Sequence, residues 1–149
     1  FIARWPGRIQ PGSESAHVGY FGDFFATAAE LARVKTPADL DSISLAPTLL
    51  GRASQQRRHE FLYWEYHEGN AATQQAALLD GRWKGIRSAP RAPLELYDLT
   101  ADAGEAQDVA ARHPDLAAKL ADYLNTARED SPNWPLRNPP TPAKKQAKP

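Results

Sequence analysis

FLYWEYHEGNAATQQAALLDGRWKGIR, residues 61–87, carries the signals that decide the fold. Its opening run, Phe61 to Tyr66, has the aromatic content of a strand. Phe61, Tyr63 and Glu65 fall on one face and Leu62, Trp64 and Tyr66 on the other, so the alternation predicts cover on both sides. Asp80-Gly81, set between Gln75–Leu79 and Arg82–Arg87, is the strongest short-range hairpin signal in the chain, because the central residues of a primed turn need positive φ. Trp83, Gly85 and Arg87 alternate with Arg82, Lys84 and Ile86 along the second arm. Beyond Pro90 and Pro93, Leu94 to Leu99 supplies a fourth strand candidate. His113-Pro114-Asp115 then opens a helix, since proline is tolerated in the first turn and Asp115 complements the partial positive charge there. Leu116, Leu120, Tyr123 and Leu124 form its apolar stripe, with Lys119 and Asp122 toward water. The fold class is therefore α+β, a small antiparallel sheet of about four strands packed by a C-terminal helix.

Upstream, Phe1-Ile2-Ala3 leading into Arg4-Trp5-Pro6-Gly7-Arg8-Ile9-Gln10-Pro11-Gly12 reads as the end of a buried strand that enters two Pro-Gly turns. Asp23 is placed to cap a helix over Phe24–Arg33, whose apolar arc (Phe24, Ala28, Leu31, then Phe25, Ala29, Ala32) predicts deep burial. Thr36-Pro37 ends that helix, Leu45–Leu50 is a short apolar segment around Pro47, and Arg52–His59 is a polar loop. This strand and helix are expected to belong to a larger α/β domain. Three regions follow: 1–55, the end of that domain; 56–130, the sheet-plus-helix subdomain; and 131–149, a flexible Pro/Lys-rich tail. The tail holds Pro132, Pro135, Pro139, Pro140, Pro142 and Pro149 with Arg137, Lys144, Lys145 and Lys148 and no acidic residue.

Composition narrows the chemistry. With 149 residues the chain can build one modest core, or form part of a larger one. Eighteen basic and eighteen acidic residues cancel, so the electrostatic footprint of a nucleic-acid binder is missing and no nucleic-acid partner is expected. The absence of cysteine excludes a disulfide framework, a thiolate zinc site and a cysteine nucleophile within these residues. No run approaches the roughly 20 apolar residues that span a bilayer, so no membrane partner is expected. The apolar opening at Phe1, without an initiator methionine, reads as a start in the middle of something.

Taken in order, the motifs resemble the C-terminal portion of a type I, formylglycine-dependent sulfatase of the alkaline-phosphatase superfamily, similar to arylsulfatases and N-acetylgalactosamine-6-sulfatases. Arg4-Trp5-Pro6-Gly7-Arg8-Ile9 with Pro11-Gly12 is similar to the family's W-P-G-x-I-x-P-G, and Asp23 with Thr27 to its D-x-x-P-T helix start. Asp41-Ser42-Ile43-Ser44-Leu45 resembles D-G-x-S-L. Leu62-Tyr63-Trp64-Glu65, Gly81-Arg82-Trp83-Lys84 and Glu95-Leu96-Tyr97-Asp98-Leu99 with His113-Pro114 continue the match to about residue 125. Ala26, Ser42 and Ala103 depart from the family's proline, glycine and proline. The resemblance implies a parent protein that hydrolyses sulfate monoesters of a carbohydrate or an aryl alcohol, using a formylglycine nucleophile and Ca²⁺. Neither belongs to this segment, which has no Cys and no Ser-x-Pro-x-Arg, and whose catalytic lysine counterpart would lie before Phe1. The implied partners are the N-terminal catalytic portion of the same sulfatase and a sulfated small molecule or glycan. The implied location is periplasmic or secreted.

The residues themselves offer little chemistry. His17, His59, His67 and His113 show no metal-ligand spacing, so no catalytic and no metal-binding residue is assigned and no cofactor is expected in this segment. Trp64-Glu65-Tyr66-His67 reads structurally as Trp64 in the core and Glu65 paired with a cross-strand cation such as Lys84. It reads functionally as His67 on the rim of the substrate cleft beside an aromatic, a pairing that suits a sugar or aryl group. Lys84 is either a paired strand cation or an attractor for a polysulfated substrate, and Arg4 a residue supporting the cleft. Trp64, His67, Lys84 and Arg4 are the cleft candidates. Two other functions stay open, a phosphonate or phosphodiester hydrolase on the same scaffold and a non-enzymatic module binding a glycan or partner through Phe61–Tyr66.

Overall fold

The computed structural model describes residues 1–139, which form two compact units, Phe1–Glu60 and a second beginning at Phe61. In the first unit both Pro-Gly bends form, with Gly7 and Gly12 at positive φ and Arg8 N–H donating to the Trp5 carbonyl at 3.0 Å. The strand expected at Phe1-Ile2-Ala3 does not: these residues are irregular, with Phe1 and Ile2 exposed, since a strand persists only where its amides find a partner.

Helix α1 spans Asp23–Ala32 and helix α2 spans Ala46–Leu49, with Pro47 in its first turn. Asp23 does not cap α1. It is the first helical residue, and its fully buried carboxylate accepts the Tyr20 and Ile43 N–H groups, with no side-chain bond capping the helix. Arg33 ends the helix in the left-handed region (φ 58°), returning its N–H to Glu30 while Val34 reaches Ala29. The deep apolar burial expected of α1 is not found. Phe24 and Phe25 are 59% and 57% exposed, and the buried residues are Asp23 and Thr27. Polar bonds tie α1 to the segment before α2: Thr27 Oγ1 accepts the Leu45 N–H at 2.8 Å, and Asp23 Oδ1 accepts the Ile43 N–H at 2.7 Å.

The second unit is the expected α+β arrangement. Strands β1 (Phe61–Tyr66), β2 (Gln74–Leu79), β3 (Trp83–Arg87) and β4 (Glu95–Asp98) form an antiparallel meander in the order β1-β2-β3-β4. The β2–β3 turn holds Asp80 at φ 52° and Gly81 at φ 69°, the positive values that a primed turn demands. Helix α3 (Pro114–Thr126) lies on one face of the sheet. Leu120 and Leu124 pack there with Ala77, Leu79, Leu96 and Val109, and Tyr123 stacks on Phe61 at a centroid distance of 4.0 Å. Each of these leucines, fully buried, contributes about 1.5–3 kcal/mol. Gly85 is what lets the helix approach: a Cβ there would lie 3.2 Å from Leu120 Cβ.

One helix covers one face. Cover on both sides of β1, expected from its aromatics, is therefore not met on the side of Leu62, Trp64 and Tyr66: Leu62 is buried, but Trp64 is 41% and Tyr66 59% exposed. Beyond α3, Ser131 and Trp134 form an isolated bridge, and residue 137 bonds to residue 73. The tail read over 131–149 thus begins with a stretch tied to the second unit, because Thr73 and Arg137 satisfy each other's backbone groups. Residues 140–149 of that tail lie outside the described residues.

Candidate functional site

One group of polar side chains in the second unit gathers at the end of β1. Glu65 faces α3, and its Oε2 accepts hydrogen bonds from Tyr63 Oη at 2.7 Å and Arg128 Nε at 3.0 Å, an ion pair largely removed from water. Gln75 Nε2 bridges Tyr63 Oη (2.9 Å) and the Leu124 carbonyl (3.2 Å). Burial, reinforced by the carboxylate of Glu65, pushes the Tyr63 phenol up to about 12. Glu65 therefore does not pair with Lys84, and the sheet register explains why. Strand β2 separates the two, and Glu65 aligns through Gln75 with Arg87, whereas Lys84 aligns through Leu78 with Leu62 on the opposite face. Lys84 Nζ instead meets Glu105 at 2.6 Å, and Arg87 donates to the Ala121 carbonyl and Asn125 Oδ1 near the C-terminal end of α3.

Past Tyr66 the chain turns through residues 67–73, with Gly69 at φ 51°. His67 stacks on Trp134 at 4.0 Å, and its Nδ1 is buried with no hydrogen-bond partner among the described residues. Buried Thr73 donates its N–H to the Arg137 carbonyl and accepts the Arg137 N–H on Oγ1, both at 2.8 Å, while the Arg137 guanidinium holds the Gly69 carbonyl. Arg128 completes the joint by donating to the Trp134 carbonyl at 2.9 Å.

The three cleft candidates of the second unit are not brought into one cluster. Trp64 and Lys84 share the face of the sheet away from α3 but stand on β1 and β3 with β2 between them. His67 lies beyond the end of β1. Arg4 is exposed in the first unit.

That first unit holds a polar centre of its own. His59 Nε2 sits 2.9 and 3.0 Å from the two oxygens of Asp23, whose Oδ2 also accepts the Tyr20 N–H at 3.1 Å. The Tyr20 ring stands edge-on to His59. Burial pulls the neighbouring His17 below the usual imidazole value, against the opposing pull of Asp23. Sequence reading missed this pairing and the Thr73–Arg137 joint. The one local hint was Asp23, an ionisable residue between Gly22 and the apolar Phe24-Phe25. Among the described residues no group of three or more His, Asp or Glu is placed to hold a metal ion. What the end of β1 offers is stacking surface, an imidazole nitrogen and a fixed loop.

A family model described as "N-sulphoglucosamine sulphohydrolase, C-terminal" matches residues 1–130. Among curated proteins, the chain is similar to an N-acetylgalactosamine-6-O-sulfatase of Bacteroides thetaiotaomicron, 29% identical over 144 residues, covering 86% of this chain and 27% of that protein. A Delta 4,5-hexuronate-2-O-sulfatase of the same organism is 32% identical over 117 residues, with 72% and 24% covered. The chain thus spans about a quarter of the length of these relatives. Among solved structures, one determined in complex with its substrate D-glucosamine-2-N,6-O-disulfate aligns with a TM-score of 0.68 at 25% identity, over 83% of this chain and 26% of that one. A 2-O GAG sulfatase aligns with a TM-score of 0.60 at 28% identity, over 78% and 27%.

Proposed function

The chain belongs to the N-sulphoglucosamine sulphohydrolase C-terminal family, and from that premise we propose that the protein it forms part of hydrolyses sulfate monoesters of a carbohydrate or an aryl alcohol. The observation that carries this reading is the family match across residues 1–130, which takes in the first unit and, in the second, every strand of the sheet and α3. The parent's formylglycine and Ca²⁺ are assigned to sequence other than this chain, which has no cysteine and, among its described residues, no ligand cluster for a cation. Its own contribution is structural and shapes the leaving-group side of the cleft. Its partners are the catalytic portion of the same polypeptide and the sulfated substrate, met in the periplasm or outside the cell. No helix among the described residues is long and apolar enough to cross a membrane.

Within that role His67 is the residue that touches the leaving group. Its ring is held by Trp134, and an imidazole beside aromatic surface suits a sugar's hydroxyls and C–H faces. Trp64 and Arg4, both exposed, are secondary candidates, while the charge of Lys84 is taken up by Glu105. The test compares the parent protein and this chain alone, each with Ca²⁺, on a chromogenic aryl sulfate and on sulfated saccharides. Sulfate release by the parent and none by the chain is expected. A parent that turns over only phosphonates or phosphodiesters overturns the reading.

A further inference from the structure

We propose that Trp134 and Arg137 are positioning residues for the saccharide half of the substrate, acting through the loop 67–73 that they hold in one shape; this rests on the sulfatase reading given above. Residues 68–71 are exposed and polar or small, so no apolar burial of their own explains their order. One bond of their own, Ala71 N–H to the Glu68 carbonyl at 2.9 Å, closes the turn, and the other ties come from outside. The Trp134 ring lies on His67 at the entrance of the loop, the Arg137 guanidinium holds the Gly69 carbonyl at its tip, and two 2.8 Å bonds join Arg137 to buried Thr73 at its exit. Entrance, tip and exit are thus fixed by seven residues, 131–137, that follow α3. Arg128, itself paired with Glu65 on β1, grips the Trp134 carbonyl and ties this clasp to the rigid sheet. A loop so constrained presents the partly exposed His67 ring and the exposed Asn70 side chain with little ordering cost on binding, which is the form a specificity element takes.

The experiment uses the parent protein with Trp134→Ala, Arg137→Ala and the conservative Trp134→Phe. Two readouts are taken, amide hydrogen exchange over residues 68–72 and steady-state kinetics on a sulfated saccharide and a small aryl sulfate. Both alanine variants should speed exchange in the loop and raise KM for the saccharide about fivefold or more, the loss of roughly one hydrogen bond. The kcat of Arg137→Ala on the aryl sulfate should stay within about twofold, and Trp134→Phe should keep both readouts near those of the unchanged parent by preserving the stack. Unchanged exchange overturns the clasp. Faster exchange with an unchanged saccharide KM overturns the positioning role. A parent that cleaves no sulfate ester overturns the sulfatase reading and the positioning role with it, while the clasp still stands or falls on exchange.

Discussion

Asp23 and His59, 36 positions apart in sequence, meet inside the first unit with His59 Nε2 at 2.9 and 3.0 Å from the two carboxylate oxygens. The same carboxylate accepts the backbone N–H groups of Tyr20 and Ile43, so one fully buried side chain gathers three separate stretches of chain around α1. With little apolar surface buried by α1, this polar centre takes the place of a core.

Asp23→Ala should therefore be among the most damaging single changes in the first unit, since it strands two backbone donors and an imidazole. The expected cost is about 3–5 kcal/mol, against roughly 1–3 kcal/mol for His59→Ala, which leaves the carboxylate its two amide donors. Chemical denaturation of both variants and the double variant checks this. The pair is coupled only if the double variant loses less than the two singles added.

Tyr63 gives a pH-dependent prediction. Below the ordinary tyrosine value of about 10 both folded and unfolded chains hold the phenolic proton, and its contribution is constant. As pH rises from there to about 12, the unfolded chain ionises and the folded one does not, so stability falls through that window. Tyr97, pushed up to about 12 by its hydrogen bond to Glu95, adds to the same loss. Tyr63→Phe should flatten the alkaline slope while weakening the fold at neutral pH by roughly 1–2 kcal/mol. In a phenolate absorbance titration, Tyr63→Phe should remove one late-ionising phenol; an unchanged late phase would count against the burial argument.

Gly85→Val should loosen the second unit, because the added side chain meets Leu94 Cδ1 at 3.1 Å and Leu120 Cβ at 3.2 Å, and the latter cannot move without its helix. A loss of about 1–3 kcal/mol is expected. Thermal unfolding measures it, and a variant as stable as the parent sequence would show that α3 shifts freely.

Studied by itself, this chain should self-associate. Phe21, Phe24 and Phe25 are 93%, 59% and 57% exposed, close together in sequence, and such apolar surface seeks cover. Sedimentation should show mass rising with concentration, and Phe24→Glu with Phe25→Lys should suppress it. A monomer at all concentrations would refute the expectation.

Where sequence reading succeeded, the signals were local. Alternation in Phe61–Tyr66, the Asp80-Gly81 turn and the apolar stripe of Leu116, Leu120 and Leu124 each lie within a few residues, and each appears in the structure within a residue or two of its expected bounds. Where it failed, the answer depended on what stood opposite. Glu65 and Lys84 have complementary charges, but register sends them to different faces, and a one-step change in alignment reverses such an assignment. The apolar arc of α1 predicted burial, yet no described residues cover Phe24 and Phe25 to that depth.

The α+β class, the strands and hairpin and the closing helix were legible in the chain alone, since periodicity and turn chemistry are properties of neighbouring residues, and the order of its motifs carried the sulfatase resemblance. Tertiary structure alone decided that Asp23 binds His59 rather than capping its helix, that Glu65 takes Arg128, and that Trp134 and Arg137 clasp the loop after β1. Each of these joins residues 36 to 68 positions apart. Such pairs are chosen by which faces the packed elements bring together, and nothing in the chain's local pattern records that choice.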